Sequence, residues 1–538
     1  MLNNDAAGIG IRISERFFMV STTATQSQRQ ATSIEIARTQ LMGWGALMVV
    51  ICVIFVIVFP LIPTIYQTDH ALEIEQMLRH GRKWFAPVYV LSLLMLFYAF
   101  WRTLRIVHTL SKEDPRSAPS LRIWVLGFGV LCGIVLIGLY PITALDVVLY
   151  VVRARLWALY GGSPMLALPA SFPHDAYVQF AGEYQKEVSP YGPVWELMAQ
   201  VPVRLGILDI AGGVIAMKVI ALLSYIVMAV LVGWYGRQDN PRLRISSLTA
   251  LTFVALNPMV LMEAMGNGHN DMLMLALMTL GLVLWQRDRW AWAALALTLA
   301  SLVKITGLIL LPLFGVAVLA EAPNWRTGLL RGLVMVAIFF ITTAGAYRLT
   351  GPFPEVFEGT RHAVFGRAGY TPSYALERIL YEFNPTERGI RSVIARGTRG
   401  IFLLYFVYLL IRLAQRKMTL IQAGFLAYFS QLLLGATFRI WYPLWLIPFA
   451  ALGLNSSTFW RAFWFGLTAE LSILMYLILW RWKLDTGEWG LNGPLGPYWH
   501  YRTIMTVLTV PWLFGIPLLG PMLRKWKDPQ RFDNSLWI

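Results

Sequence analysis

Apolar runs of a length suited to crossing a membrane, separated by short polar or basic stretches, repeat along almost the whole chain. They fall at 42–66, 84–101, 123–143, 211–235, 246–264, 271–286, 290–320, 328–349, 399–415, 419–437, 440–455, 460–480 and 503–523. A hydrocarbon core of about 30 Å takes about 20 helical residues, so the pattern predicts an all-α, polytopic transmembrane helical protein with about 13–14 spans. Residues 1–40 are polar, rich in Ser, Thr and Gln, and carry four arginines; they are expected to form a disordered cytoplasmic tail. Residues 41–523 form the transmembrane domain, and the basic segment 524–538 a second cytoplasmic tail. The first run is too long for a signal-peptide core and has no small-residue cleavage site behind it, so it is read as a retained span.

The run at 290–320 is unusual in length. Its 31 residues are interrupted only by Lys304, and as one helix it would reach about 46 Å, more than a bilayer core needs. Arg287 and Arg289 precede it, while Arg326 and Arg331 follow it. Lys and Arg gather in cytoplasmic loops, so both ends belong on one side and the number of crossings is even. Two short helices meeting near Lys304 satisfy this, with the ammonium presented toward the outer side. A charge left at mid-bilayer would cost about 3 kcal/mol or more.

The same bias orients the rest. Arg102, Arg105, Lys112, Arg116 and Arg122 place their loop and the N-terminus in the cytoplasm, and Arg524, Lys525, Lys527 and Arg531 do so for the C-terminus. Two long polar segments, 144–210 and 350–398, then face outward, together with the turn 266–271 and Arg439. The expected location is the cytoplasmic membrane, with the active site outside.

Composition agrees with this class. With 57% hydrophobic and 14% charged residues, a chain of 538 residues is not a water-soluble globule. The net charge of +16 would suit nucleic acid, but the basic residues sit in short clusters between apolar runs, so no nucleic-acid partner is expected. Cys52 and Cys132 fall inside apolar runs and suggest neither a disulfide framework nor a thiolate metal site.

Candidate chemistry concentrates in the outward segments. As a helix, the stretch LDVVLYVVRARLW puts Asp146, Tyr150, Arg153 and Trp157 on one stripe of an otherwise Val- and Leu-rich surface, a pattern suited to lying along a membrane. Asp146, the GNGHND turn at 266–271, Lys304, the 350–398 segment with Arg361, His362, Arg367 and Tyr370, and Arg439 are all placed on the outer side. Polar residues so dispersed in sequence converge if a cavity at the membrane boundary holds one lipid-linked and one polar substrate.

Asp146, SPYGPVW at 189–195, NPMVLMEAMGNGHND at 257–271, LASLVKITGLILLP at 299–312 and FRIWYPLW at 438–445 together resemble the GT-C glycosyltransferases. The nearest likeness is to the bacterial polyprenyl-phosphate-mannose-dependent mannosyltransferases, over most of residues 120–455. The resemblance implies a GT-C-like fold, an inverting reaction outside the cytoplasm, a polyprenyl-phosphate sugar donor, mannose as the sugar, and an acidic residue in the first large outer loop. The chain departs from the pattern in two ways. Two spans precede the one leading to Asp146, and Asp146 has no second acid beside it.

The chemistry can be stated on its own terms. A polyprenyl phosphate leaves as an anion, so its departure needs cations more than a general acid. The acceptor hydroxyl needs a base. Asp146 is assigned as that base, and Lys304, Arg361 and Arg439 as candidates for the donor phosphate. Tyr150, Arg153, Tyr191, His269, Asn270, Asp271, Trp441 and Tyr442 are taken as substrate-binding. The expected partners are the lipid-linked donor, a glycan or lipid-glycan acceptor and membrane lipids. No cofactor is expected, and a divalent metal is left open.

Duller readings stand beside these. Asp146 could cap an interfacial helix, with Asp175 or Glu183 as the base instead. GNGHND could be a turn only, His269 and Asp271 two metal ligands, and Glu263 a satisfied polar contact at a helix end. Lys304 could cap carbonyls, and Arg439 could snorkel. A transporter or lipid flippase is the alternative from another class; against it stand the lack of an obvious repeat and the gathering of ionisable residues at one face. For a non-catalytic scaffold of envelope assembly, replacing Asp146 by Ala would leave product formation untouched.

Overall fold

The computed structural model describes residues 34–72, 85–113, 118–236, 246–352, 355, 370–383, 389–435, 437–453, 456–486 and 501–527. Among them every regular element is a helix, and one isolated β-bridge joins Pro60 to Leu139. Seven helices are long and apolar enough to cross a bilayer: Ile34–Val58, Phe85–Ser111, Pro119–Ile137, Ile210–Tyr235, Trp325–Arg348, Ser392–Ala414 and Thr506–Leu523. The pair Ser247–Ala255 and Pro258–Gly266 makes an eighth, bent by 44°, and five shorter apolar helices pack among them. The chain is a multi-pass membrane protein.

Two boundaries differ from the hydrophobic pattern. The first span reaches back to Ile34, into the stretch that composition reads as tail, because Ile34, Ala37 and Leu41 lie on one helix face against the core. Residues 1–33 lie outside the described residues. Within the segment read as the loop 350–398, Pro372–Phe383 is helical and Ile390–Ala414 begins. PSYALERILYEF carries too many polar residues to register as a span, yet its apolar positions recur at helical spacing.

Three local devices assemble the centre. Pro258 cannot continue a helix from Asn257, which stays extended and caps the next turn by accepting from the Met259 N–H at 3.1 Å. That turn widens to π geometry over Leu261–Gly266 and ends at Asn267, whose Oδ1 accepts from Ile142 N at 2.9 Å and Thr143 N at 3.2 Å. Gly268 follows at φ +76°, where a Cβ would also stand 2.7 Å from Val147 Cγ2. The approach to Asp146 is thereby tied to the 266–271 turn.

The second device is the break at Lys304. Trp290–Val303 stops there, Lys304 is extended (φ −150°, ψ 132°), and the chain resumes as Ile305–Ile309 and Leu310–Ala320. The third is backbone docking at that break. Gly192 N donates to Val303 O at 3.0 Å, and a side chain at 192 would fall on the carbonyl of Leu302. We expect Gly192→Ala to destabilise the fold by about 3 kcal/mol, because the clashing atom is backbone and cannot swing aside. Thermal unfolding in detergent measures this, and an unchanged Tm would contradict the packing.

Candidate active site

Asp146 opens the Asp146–Tyr160 helix, of which nine residues are buried. The sequence suggests that this helix lies on a membrane surface. Its apolar sides pack instead against Pro193–Arg204 and Ile210–Val230, because protein rather than lipid covers them. Asp146 and Arg153, from its polar stripe, line a cavity of about 810 Å³. Tyr191, Lys304, Arg439, Trp441 and Tyr442 line the same cavity, as does Glu183, while Ile473 and Leu513 belong to an apolar stretch of its wall.

The carboxylate of Asp146 is partly accessible, its side chain 19% exposed, and its Oδ2 accepts from the Tyr191 hydroxyl at 3.1 Å. Tyr150 donates to Tyr191 in turn, at 3.4 Å. Burial, and then the neighbouring Asp146 charge, push the Tyr191 phenol well above its ordinary pKa, so it stays a donor to the carboxylate. Edge-to-face packing of Tyr150 on Tyr191 (5.1 Å) and Trp195 (4.8 Å) fixes both rings.

Facing this acid are cations. Lys304 Nζ lies 2.7 Å from Asp271 Oδ2 and within 5.6–5.9 Å of the ring centres of Tyr191, Tyr442 and Trp445. The other Asp271 oxygen accepts from Trp445 Nε1 at 2.6 Å. Arg439 is within electrostatic reach of Asp146, Tyr184 and Tyr442. Arg153 donates through Nη2 to the Glu187 and Val188 carbonyls at 3.0 and 3.1 Å, while its Nε and Nη1 make no hydrogen bond among the described residues. A nearly buried guanidinium with two unmet nitrogens on a cavity wall is suited to an anion.

The remaining sequence candidates sort themselves by geometry. His269, Asn270 and Asp271, read as substrate contacts, are buried beneath the cavity and absent from its wall; Asp271 holds Lys304 in place, and His269 stacks on Trp441 at 4.0 Å. Asp175 is consumed by Arg155 (2.7 Å), Tyr160 (3.1 Å) and the Tyr177 N–H (3.0 Å), a structural lock that leaves it no role as base. Arg361, with His362 and Arg367, lies outside the described residues. Among the described residues no three His, Cys, Asp or Glu side chains are grouped so as to hold a metal ion.

One more acid supports this wall. Glu196 is buried in Pro193–Arg204, accepts from the Ser189 hydroxyl, and is pushed by burial from 4.5 to about 7, against the opposing pull of Ser189 and Arg153. A carboxyl held above its unfolded value favours the fold while protonated. Its contribution is therefore full below about pH 4.5 and lost as pH rises through about 7. We expect Glu196→Gln to flatten the fall in stability across that interval, measured as Tm against pH; an unchanged slope would contradict the assignment.

The comparisons with known proteins bear on this arrangement. The family model described as alpha-(1->6)-mannopyranosyltransferase, N-terminal domain, matches residues 41–320, a little over half of the chain. The chain belongs to this family. Alpha-(1->6)-mannopyranosyltransferase B of Corynebacterium glutamicum is 30% identical over 236 residues, covering 39% of this chain and 38% of that protein. Alpha-(1->6)-mannopyranosyltransferase A of Mycobacterium tuberculosis is 35% identical over 125 residues, 23% of each. The matched stretches thus span well under half the length of these relatives.

The alpha-(1->6)-mannopyranosyltransferase match takes in Asp146, Tyr191, Asp271 and Lys304, whereas Arg439, Trp441 and Trp445 lie beyond it. Lys218 and Glu470 escape sequence reasoning, which takes Glu263 for a satisfied polar contact at a helix end. Lys218, Glu263 and Glu470 are fully buried within apolar helices, so ionisable residues do not gather at one face only. An ionisable side chain inside a hydrophobic run is the signal that could have marked all three. Lys218 donates to the carbonyls of Leu139 and Ile137, closing the end of the Ala118–Ile137 helix just ahead of Asp146.

Proposed function

We propose that this protein is an inverting glycosyltransferase that moves a hexose, mannose, from a polyprenyl-phosphate donor to a glycan or lipid-glycan acceptor on the outer side of the membrane. The observation that carries this reading is one cavity holding an accessible carboxylate, Asp146, opposite two cations, Lys304 and Arg439, with apolar wall residues such as Ile473 and Leu513 beside them. Asp146 takes the proton of the acceptor hydroxyl as its oxygen attacks the anomeric carbon. The bond from that carbon to the phosphate oxygen breaks on the opposite face. Lys304 and Arg439 stabilise the departing phosphate, as a point charge and as a bidentate fork. The apolar wall accommodates the first isoprene units.

The mannosyl group comes from the names of the relatives, which are alpha-(1->6)-mannopyranosyltransferases. Inversion yields an α-linkage only from a β-configured donor. We therefore expect β-mannosyl polyprenyl phosphate to be consumed and its α-anomer to be inert. The test incubates purified protein in liposomes with either radiolabelled donor and a lipid extract. Label transfer from the α-anomer alone would overturn the inverting mechanism. Lipid scrambling without any transfer would favour the transporter or flippase alternative.

A further inference from the structure

The Asp146 oxygen that accepts from Tyr191 also faces His269, whose Nδ1 lies 3.9 Å away, while the opposite ring nitrogen, Nε2, lies 3.1 Å from Glu263 Oε2. The imidazole is fully buried and stacked on Trp441 with ring centres 4.0 Å apart, and the residue is anchored by its backbone N–H, which donates to the Glu263 backbone carbonyl at 3.1 Å. Neither ring nitrogen makes a hydrogen bond among the described residues. A buried polar group without a hydrogen bond is costly, so a ring kept in that state between two carboxyls calls for a reason.

The chain of acids continues behind it. Glu263 Oε1 accepts from Thr143 Oγ1 at 3.0 Å, and its carboxyl meets that of Glu470. Neither Glu470 oxygen has a hydrogen-bond partner among the described residues. From the Asp146–Tyr160 helix His269 thus faces Asp146, from the wide turn Glu263, and from Ser456–Thr486 Glu470 behind Glu263. Asp271 is taken up by Lys304 and Trp445, and the Lys218 amine points to the Leu139 and Ile137 carbonyls.

We propose that His269, backed by Glu263 and Glu470, is a positioning residue that takes over from Asp146 the proton removed from the acceptor. The inference rests on the function proposed above, in which Asp146 alone touches substrate. In the first step the acceptor O–H bond breaks, its oxygen bonds to the anomeric carbon, and the proton settles on Asp146. In the second the proton passes from Asp146 to Nδ1, while Nε2 keeps its hydrogen toward Glu263. The imidazolium then stands between two carboxylates, and Asp146 is again anionic while the phosphate is still held by Lys304 and Arg439. The proton returns through Asp146 to water when the products leave. The gap of 3.9 Å is wider than a hydrogen bond, as catalytic contacts often are before substrate closes the site.

The experiment has two arms on the full chain in detergent. In the first, the acid limb of kcat is recorded for the native chain, His269→Gln and Glu263→Gln. The limb of His269→Gln is expected to lie at lower pH than the native limb, because the proton then has only the carboxylate to rest on. Glu263→Gln is expected to move it part of the way, with the donor KM unchanged in both. A limb that stays in place in both variants overturns the relay.

The second arm needs no activity. In nitrogen-labelled histidine spectra, the His269 ring signals, identified by their loss in His269→Gln, are expected to move in Asp146→Asn relative to the native chain, since Nδ1 faces that carboxylate at 3.9 Å. Ring signals that ignore Asp146 overturn the relay even where a variant folds poorly. A native chain that transfers no sugar at any pH sinks the functional reading, while this arm still decides the coupling.

Discussion

Asp146→Asn is expected to lower kcat for sugar transfer by about 10³-fold while leaving the donor KM within a few-fold, the loss anticipated when a general base is removed. The substitution keeps the size of the side chain, and an amide oxygen can still accept from Tyr191, which donates to Asp146 at 3.1 Å. What disappears is the ability to take a proton. Because the Asp146 side chain is partly accessible and, among the described residues, forms no ion pair shorter than the 3.9 Å approach to His269, its neutralisation should change Tm little. Asp175→Asn is the contrasting control. It weakens the buried contact with Arg155 at 2.7 Å and should lower Tm more than kcat. Transfer within tenfold of native by Asp146→Asn would remove the base from the proposed mechanism.

The second large effect belongs to Lys304. Lys304→Met leaves the Asp271 carboxylate fully buried with, among the described residues, only the Trp445 N–H as partner, so a stability loss of about 3–5 kcal/mol is expected together with loss of transfer. The double variant Lys304→Met with Asp271→Asn separates the two consequences. With both charges gone, most of the stability should return, since nothing ionised is left unpaired. Transfer should stay at least 10²-fold down, a loss of the size expected when one charge-stabilising donor is removed, because no ammonium remains to meet the leaving phosphate. Urea or thermal unfolding and the transfer assay, run on the same preparations, decide it. A double variant that regains both would make Lys304 a structural residue only.

How much of this could be read from the residues in order depends on whether the signal was local. Lys304 stands out because a charge interrupts 31 residues that are otherwise free of charge, and the helix breaks there. Asp146 stands out as an acid directly behind the third apolar run, 123–143. Asp271 was legible as a polar residue of the GNGHND turn, but not as the partner of Lys304, since a separation of 33 residues carries no periodic mark. The docking of Gly192 on Leu302 and Val303 is equally silent, because backbone meets backbone and no side chain advertises the contact. Glu470 and Lys218 were absorbed into their hydrophobic runs. A window long enough to find a span averages away the single charge that gives the span a second role.

The cavity also straddles the end of the family match. Asp146, the proposed base, and the Lys304 ammonium lie inside the matched portion, residues 41–320, while Arg439, Ile473 and Leu513 come from the chain beyond it. Grafting the later half of one family member onto the earlier half of another should therefore redirect which lipid and which acceptor are gripped, with the reacting groups carried over intact. The protein resembles a tool with a fixed blade and an exchangeable handle, and the seam runs through the hollow where the two halves face each other.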